Sequence, residues 1–131
     1  DLLVETPLTV LCGEDVHVFA AACAGAHGAI AASAHLHPRA WLALLRAVAE
    51  QRLDEARRCH RALLPMVRAL FAQPNPAPLK AALAMRGLID EAVRAPMVPL
   101  DPTARQGLRA ALAALDTVLG PEPGIAANAV V

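Results

Sequence analysis

The first part of the chain places short apolar runs on both sides of a helical pattern. Residues 8–11 and 28–32 are apolar without alternation, which is typical of strands covered on both faces. Residues 14–24 predict a helix that Gly25 ends, with acidic residues at the N-terminal end, where the helix dipole favours them. A strand, a helix and a strand within about 25 residues favour a parallel βαβ unit, so this part of the chain is predicted to be α/β.

The chain from Pro38 onward has a helical pattern. Pro38 suits a first turn, and a helix is predicted from the apolar spacing of Trp41, Leu44, Leu45 and Val48. A second helix is predicted over about residues 54–71, with Pro65 expected to kink it. Its apolar face is formed by Cys59, Leu63, Met66, Val67 and Leu70.

Two Xaa-Pro pairs predict where the later helices begin. Asn75 is predicted to cap a helix with Pro76 at its first position. That helix ends at Gly87 and carries the apolar residues Leu79, Leu83 and Met85. Residues 94–100 contain two prolines and are not helical. Asp101 then caps a last helix, whose apolar stripe consists of Leu108, Leu112, Leu115 and Leu119.

The predicted elements divide the chain into three parts. Residues 1–52 are α/β, residues 53–119 are helical, and residues 120–131 lose periodicity and are expected to form a disordered tail. Two short strands do not form a stable parallel sheet, because each leaves an unpaired apolar edge. We therefore expect further polypeptide to supply the missing strands, and a first residue other than Met gives the same indication.

Composition and charge exclude several classes of protein. Hydrophobic residues make up 56% of the chain, with Ala and Leu abundant, so helix should dominate. Lys and Arg number 12, as do Asp and Glu, so we expect no nucleic acid and no anionic membrane as partner. No apolar stretch approaches the roughly 18 residues of a membrane span. The 3 cysteines fit no disulfide framework or zinc spacing, which favours a reducing, cytoplasmic setting.

Four segments carry a resemblance to a known family. They are residues 10–15 (VLCGED), 25–35 (GAHGAIAASAH), 70–83 (LFAQPNPAPLKAAL) and 94–100 (RAPMVPL). In this order and spacing, over residues 8–119, the chain resembles the C-terminal half of the dihydrodipicolinate synthase and N-acetylneuraminate lyase family. The likeness is greatest to dihydrodipicolinate synthases.

The resemblance implies a fold and an activity. Residues 1–52 would be the last two βα units of a (β/α)8 TIM barrel, and residues 53–119 its C-terminal helical extension. The implied activity is that of a pyruvate-dependent lyase of the class I aldolase type, most like the synthase of lysine biosynthesis. In it, a lysine of the sixth strand forms a Schiff base with pyruvate or another 2-oxo acid. No further cofactor is implied, and a homo-oligomer is expected.

The catalytic groups that the resemblance implies are expected upstream of Asp1. Lys80 is the only lysine, its motif places it on the outer helices, and the chain has no Tyr for the family's proton relay. The first six strands are expected upstream too, so the chain would be a fragment whose partner is the missing N-terminal half of the barrel. Alone, we expect it not to catalyse the family reaction.

Two positions match residues of the family's substrate pocket. Gly13 matches a glycine at the mouth of the seventh strand, where bare backbone can approach the keto acid. Ile30 matches the isoleucine of the eighth strand, whose carbonyl faces the lysine and whose side chain lines the pocket. Asn75 and Lys80 match positions of the helical extension, where we expect structural roles. The departures from the usual residues are Cys12, Ala31, Ser33 and His35, and they leave other keto-acid lyases of the family open.

Other interpretations of single residues remain open. His35 and His37 would point the same way in an extended segment and could bind a metal. No carboxylate or cysteine is close in sequence, so no metal is assigned. Cys12 could be a reactive thiol, but a buried inert cysteine is preferred because no flanking base is evident. Glu14 and Asp15 are predicted to stabilise a helix N-terminus and not to form a catalytic pair.

Three hypotheses for function follow from these observations. The first is a fragment of a Schiff-base keto-acid lyase. The second is a non-catalytic helical module that uses the family's C-terminal helices for oligomerisation or partner binding. The third is a small histidine-based metal-binding protein. The intact mass of the purified material, trapping with borohydride and pyruvate, and metal analysis would distinguish them.

Overall fold

The structure, a computed structural model, describes residues 7–123. Short 3₁₀ turns cover Asp15–His17 and Ala32–His35. The strands of this range are β1 (Leu11–Cys12) and β2 (Gly28–Ala29). Its α-helices are α1 (Val18–Cys23), α2 (Pro38–Ala49), α3 (Leu53–Leu70), α4 (Ala77–Met85) and α5 (Pro102–Leu119).

The two strands pair in parallel. Leu11 lies opposite Gly28 and Cys12 opposite Ala29, and the Ile30 N–H donates to the Cys12 carbonyl at 2.8 Å. The predicted parallel βαβ unit is therefore confirmed. Each strand has only 2 residues, fewer than the apolar runs predict. Within residues 7–123 no third strand extends the ladder, and a two-stranded sheet is marginal by itself.

The helices pack around one apolar core. α3 contacts α2, α4 and α5, and α1 contacts α2. Burial of each large aliphatic side chain stabilises such a core by about 1.5–3 kcal/mol. The buried apolar residues of this cluster are Val18, Leu36, Ala40, Trp41, Leu44, Leu63, Met66, Val67, Leu70, Ala81, Ala82, Leu108, Leu112 and Leu115.

Helix α3 follows its predicted apolar face closely. Leu63, Met66, Val67 and Leu70 are buried, and Cys59 is partly buried against the core. The helix continues through Pro65. Asp54 and Glu55 lie in its first turn, as the dipole favours.

Helix α4 differs from its prediction in two respects. Pro76, not Asn75, is the N-cap: its carbonyl accepts the Lys80 N–H at 2.9 Å, and no side chain caps this end. Pro76 and Pro78 both suit a first helical turn, so the sequence does not fix the residue at which α4 begins. The buried residues of α4 are the small ones Ala77, Pro78, Ala81 and Ala82. The predicted apolar residues Leu79, Leu83 and Met85 are only partly buried. Close packing on α5 favours small side chains. The predicted end is confirmed, since Gly87 has φ +71°.

Helix α5 begins and packs as predicted. The Asp101 side chain accepts the Ala104 N–H at 2.9 Å, and this hydrogen bond lowers the pKa of Asp101 below its ordinary value. Leu108, Leu112 and Leu115 are buried in the core. The predicted N-cap and apolar stripe are therefore confirmed.

The chain after α5 folds back onto α2. Glu122 is 6% exposed, and its carboxylate contacts His37 at 2.8 Å. The disorder predicted for the tail therefore does not hold for residues 120–123. Residues 124–131 lie outside the described residues.

Candidate functional site

The loops that follow the two strands are joined through Asp15. Its carboxylate accepts the Ala32 N–H at 3.1 Å and the Ser33 N–H at 2.8 Å. The Ser33 hydroxyl donates to the same carboxylate. Asp15 is only 2% exposed, so these hydrogen bonds replace the water that a buried carboxylate loses. The carboxyl ends of both strands are thereby fixed relative to each other.

The network continues into α2. The Trp41 indole N–H donates to the Ser33 hydroxyl oxygen at 3.1 Å, and Trp41 is itself buried. The sequence placed Asp15 at a helix N-terminus, and it does lie in the first 3₁₀ turn, but Glu14 is the N-cap there. The sequence did not indicate the hydrogen bonds of its carboxylate to the loop after β2. An acidic residue between a strand and an apolar run was the signal that it could be buried.

The two predicted pocket residues lie at the same edge of the sheet. Gly13 directly follows β1 and Ile30 directly follows β2, and the strands are parallel. Ile30 is 72% exposed, so its side chain is open to solvent in the described chain. A Cβ added to Gly13 would meet no atom within 4 Å. Within residues 7–123, a side chain at position 13 would therefore clash with no neighbouring atom.

An apolar cavity lies on the other face of β2. It has a volume of about 200 Å³ and is lined by Ala29, Ala31, Trp41 and Leu45, among others. Because side chains alternate along a strand, Ile30 points to the opposite face. The cavity therefore belongs to the packing of β2 on α2, and the face that carries Ile30 is open.

The remaining nucleophilic candidates have simple surroundings. Cys12 is partly buried, and its thiol donates to the Glu14 carbonyl oxygen at 3.3 Å. All three cysteines are free. Lys80 lies on α4, and its ammonium group donates to the Ala92 carbonyl oxygen. This hydrogen bond ties α4 to the segment before α5, as expected of a structural residue.

The two histidines considered for a metal site do not share a direction. The segment that contains His35 is a 3₁₀ turn and not extended. His35 is exposed and His37 buried, so the geometry assumed from the sequence is wrong. Within residues 7–123, no group of three His, Cys, Asp or Glu side chains is placed to hold a metal ion.

The described residues have the fold and the candidate site of a parallel α/β protein. Parallel strand–helix units carry the candidate site at the carboxyl ends of their strands, which is where parallel α/β enzymes bind ligands. A helical bundle is attached to these units. No helix of the described range combines the length and the hydropathy needed to cross a bilayer.

The chain belongs to the dihydrodipicolinate synthetase family, whose sequence model matches residues 2–115. It is 40% identical over 109 residues to the 4-hydroxy-tetrahydrodipicolinate synthase of Sorangium cellulosum, a match that covers 83% of this chain and 36% of that protein. The family predicted from the sequence is confirmed.

Solved structures agree with this assignment. The 4-hydroxy-tetrahydrodipicolinate synthase of Methylacidiphilum fumariolicum matches with a TM-score of 0.82 and 36% identity, covering 85% of this chain and 37% of that one. The synthase of Acinetobacter baumannii, solved in complex with pyruvate, matches with a TM-score of 0.79 and 28% identity, covering 86% and 38%. This chain therefore spans less than two fifths of the length of these relatives.

Proposed function

We propose that this chain is the C-terminal part of a lyase of the 4-hydroxy-tetrahydrodipicolinate synthase type. Residues 1–52 would be the last two βα units of a TIM barrel, and residues 53–119 its helical extension. The substrate would be pyruvate, which forms a Schiff base with a lysine, followed by reaction with an aldehyde. The identities of 36–40% to synthases support this assignment.

The observation that carries the proposal is the pair of parallel strands with open edges. β1 and β2 form a two-stranded sheet, yet Leu11 is 47% and Ile30 72% exposed. In a closed barrel, each strand has a neighbour on both sides and apolar residues fill the interior. The exposed residues would be covered by the first six βα units, supplied by another part of the protein or by a separate chain.

Gly13 and Ile30 are proposed to line the pyruvate pocket. Gly13 lacks a steric requirement within the described chain, so its bare backbone is free to approach a ligand there. Ile30 lies at the carboxyl end of β2 on the open face, where active sites of such barrels form. The Asp15 network holds both loops in place.

The Schiff-base lysine is proposed to lie in the barrel half that this chain does not contain. A lysine reacts with a carbonyl as the neutral amine, which requires a lowered pKa in a desolvated site. Lys80, the only lysine, lies on α4 in the helical part. This chain alone is therefore proposed to be inactive.

Reductive trapping tests the proposal. The chain would be mixed with the first six βα units of the Sorangium cellulosum synthase, pyruvate and borohydride, and the modified lysine located by mass spectrometry. We expect an adduct on the added half only when this chain is present, and none on Lys80. An adduct on Lys80 in this chain alone would contradict the proposal.

A pair of variants tests the role of Ile30. Ile30→Arg should abolish trapping in the mixture, because it places a charge in the pocket. Val98→Arg is the matched control, since Val98 is also exposed, at 71%, in the segment before α5. Equal trapping by both variants would contradict the proposal that Ile30 lines the pocket.

A non-catalytic helical module remains the alternative. It predicts an oligomer held by the helices and no trapping in any mixture. The open face at Ile30 favours the lyase fragment, because a module built on α3 to α5 would not need two strands with exposed apolar residues.

A further inference from the structure

The apolar cavity between β2 and α2 is a groove that opens to solvent. Its volume is about 200 Å³, and its lining residues all lie between Ala29 and Leu45. They are alanine, proline, leucine and tryptophan residues, so the wall of the groove carries no charge. Since none of them comes from β1 or α1, the groove adjoins only the part of the described chain from β2 to α2. We call this cavity the β2–α2 groove.

The chemistry of the groove suits an apolar side chain better than a substrate. Sites for small molecules usually have volumes of about 300–1,000 Å³ and contain several convergent polar groups. The β2–α2 groove is smaller. The indole N–H of Trp41, the one polar side-chain group among its lining residues, already donates to the Ser33 hydroxyl oxygen at 3.1 Å. The groove is therefore matched to a side chain of another polypeptide segment.

Ala29 belongs both to the groove and to an open strand edge. Its side chain lines the groove. The Ile30 N–H donates to the Cys12 carbonyl oxygen at 2.8 Å, and backbone groups alternate along a strand, so those of Ala29 point away from β1. A parallel strand that paired with this edge would direct alternate side chains to the face that carries Ala29. The position of Ala29 thus favours a strand as the occupant of the groove.

Leu42 lies at the rim of the groove on α2. Its side chain is 61% exposed, whereas that of the preceding Trp41 is 4% exposed. Leu45, one helical turn further, lines the same groove and is partly buried. A strand that placed an apolar side chain in the groove would also cover Leu42. A substitution at Leu42 can therefore test the docking without removing a side chain from the core.

We propose that the β2–α2 groove receives an apolar side chain from the strand of the first βα unit, which pairs with the open edge of β2. This inference rests on the proposed lyase function, in which residues 1–52 are the last two units of the barrel. In a closed ring of parallel strands, the last strand pairs with the first. The sixth unit reaches the open edge of β1 instead. The groove thus determines which end of the missing half docks against α2.

Fluorine NMR of Trp41 tests whether the groove is filled. Trp41 is the only tryptophan of the chain, so a chain labelled with fluorotryptophan gives one signal. We expect this signal to shift when the first six βα units of the Sorangium cellulosum synthase are added. It should not depend on the concentration of this chain alone. A shift with that concentration would assign the groove to a second copy of the chain and overturn the proposal.

A pair of exposed positions tests the contact energetically. Leu42→Arg should weaken the association of this chain with the added half by at least about tenfold, because a large aliphatic contact is lost and a charge is placed at an apolar rim. Val118→Arg is the matched control on α5, at 67% exposure, and should change the dissociation constant by less than about twofold. Calorimetry measures both constants. Equal effects of the two variants would overturn the proposal.

A photoreactive benzophenone amino acid in place of Leu42 identifies the neighbour of the groove. Mass spectrometry should locate its crosslinks in the first βα unit of the added half, and crosslinks to the sixth unit alone would overturn the proposal. Reductive trapping in the same mixture separates this inference from the proposed function. Trapping with an unchanged Trp41 signal would overturn the inference and leave the lyase assignment intact. A mixture that neither associates nor traps pyruvate would contradict both.

Discussion

At the scale of single residues, Asp15 is the most deeply buried charged side chain in the described chain. A carboxylate that is 2% exposed needs donors in place of water. It finds them 17 and 18 residues away, in the loop after β2. The same carboxylate therefore stabilises the fold and positions the two loops that carry Gly13 and Ile30.

Replacement of Asp15 by Asn should destabilise the chain by about 2 kcal/mol, because an amide nitrogen would face backbone donors and the charge would be lost. Chemical unfolding at neutral pH measures this change. Asp54→Asn, at an 86% exposed position of α3, should change stability by less than about 0.5 kcal/mol. Equal effects of the two variants would remove the role assigned to Asp15.

The sequence predicts single residues unevenly. Caps within one helix depend on neighbours in the chain, so Asp101 and Gly87 were predicted correctly. The hydrogen-bond donors to Asp15 lie in the loop after β2. Whether this loop meets the loop after β1 depends on the tertiary fold, which a local sequence pattern does not indicate. The assignments of Gly13 and Ile30 came from the resemblance; the structure places both at one edge, and their role stays a prediction.

At the scale of elements, helical periodicity was the most informative signal. The apolar faces of α2, α3 and α5 were predicted because each buries several large residues at helical spacing. α4 was predicted less well. It buries small residues such as Ala81 and Ala82. A helical pattern of large apolar residues does not identify such a face. The strands are shorter than their apolar runs because strand length depends on neighbours.

The contact between α1 and α3 should make stability depend on pH. The Phe19 and His60 rings stack with centroids 5.1 Å apart. Burial lowers the pKa of His60, and the charges of Arg61 and Arg68 lower it further. The unfolded chain therefore binds a proton at higher pH than the folded chain does, so the folded state loses stability as the pH falls through the ordinary histidine range.

His60→Phe should reduce this loss, because it keeps an aromatic ring against Phe19 without the charge. The measurement is the difference in unfolding free energy between about pH 7 and about pH 5. His35→Phe, at an exposed position, is the control and should leave the pH dependence unchanged. If His60→Phe keeps the full acid sensitivity, the pH dependence does not arise from His60.

The pairing of α4 with α5 depends on a nearly buried ion pair. Arg86 donates to both carboxylate oxygens of Asp116, at 2.7 and 2.6 Å, and Arg86 is 8% exposed. Asp116→Ala leaves this guanidinium without its partner and should cost about 3–5 kcal/mol of unfolding free energy. The exposed pair of Arg57 and Asp54 is the control, and Asp54→Ala should cost about 1 kcal/mol or less. Similar losses would mean that burial of Arg86 does not matter.

At the scale of the whole molecule, two parts with different needs share one chain. The helices share one buried core, to which Val18, Trp41 and Leu44 of the predicted α/β part also contribute. The two strands have only each other among residues 7–123. The division between residues 1–52 and 53–119 came from composition and spacing, and it stays a prediction. Further neighbours of the strands belong to the proposed barrel, since residues 7–123 contain only the pair β1 and β2.

The register of β1 and β2 shows which backbone N–H groups are not directed at the other strand. Ile30 donates to Cys12 across the strand pair, and Leu11 and Ala29 occupy the alternate positions of the register. Because backbone groups of a strand point alternately to its two sides, the N–H groups of Leu11 and Ala29 point outward, along the two open edges.

Amide hydrogen exchange of the chain alone tests most directly whether these strands need neighbours. We expect the Leu11 and Ala29 amides to exchange within about tenfold of the rate in an unfolded chain, while the Val67 amide in α3 is slowed by at least about 1000-fold. Protection of Leu11 and Ala29 equal to that of Val67, in a chain shown to be monomeric, would contradict the assignment as part of a barrel.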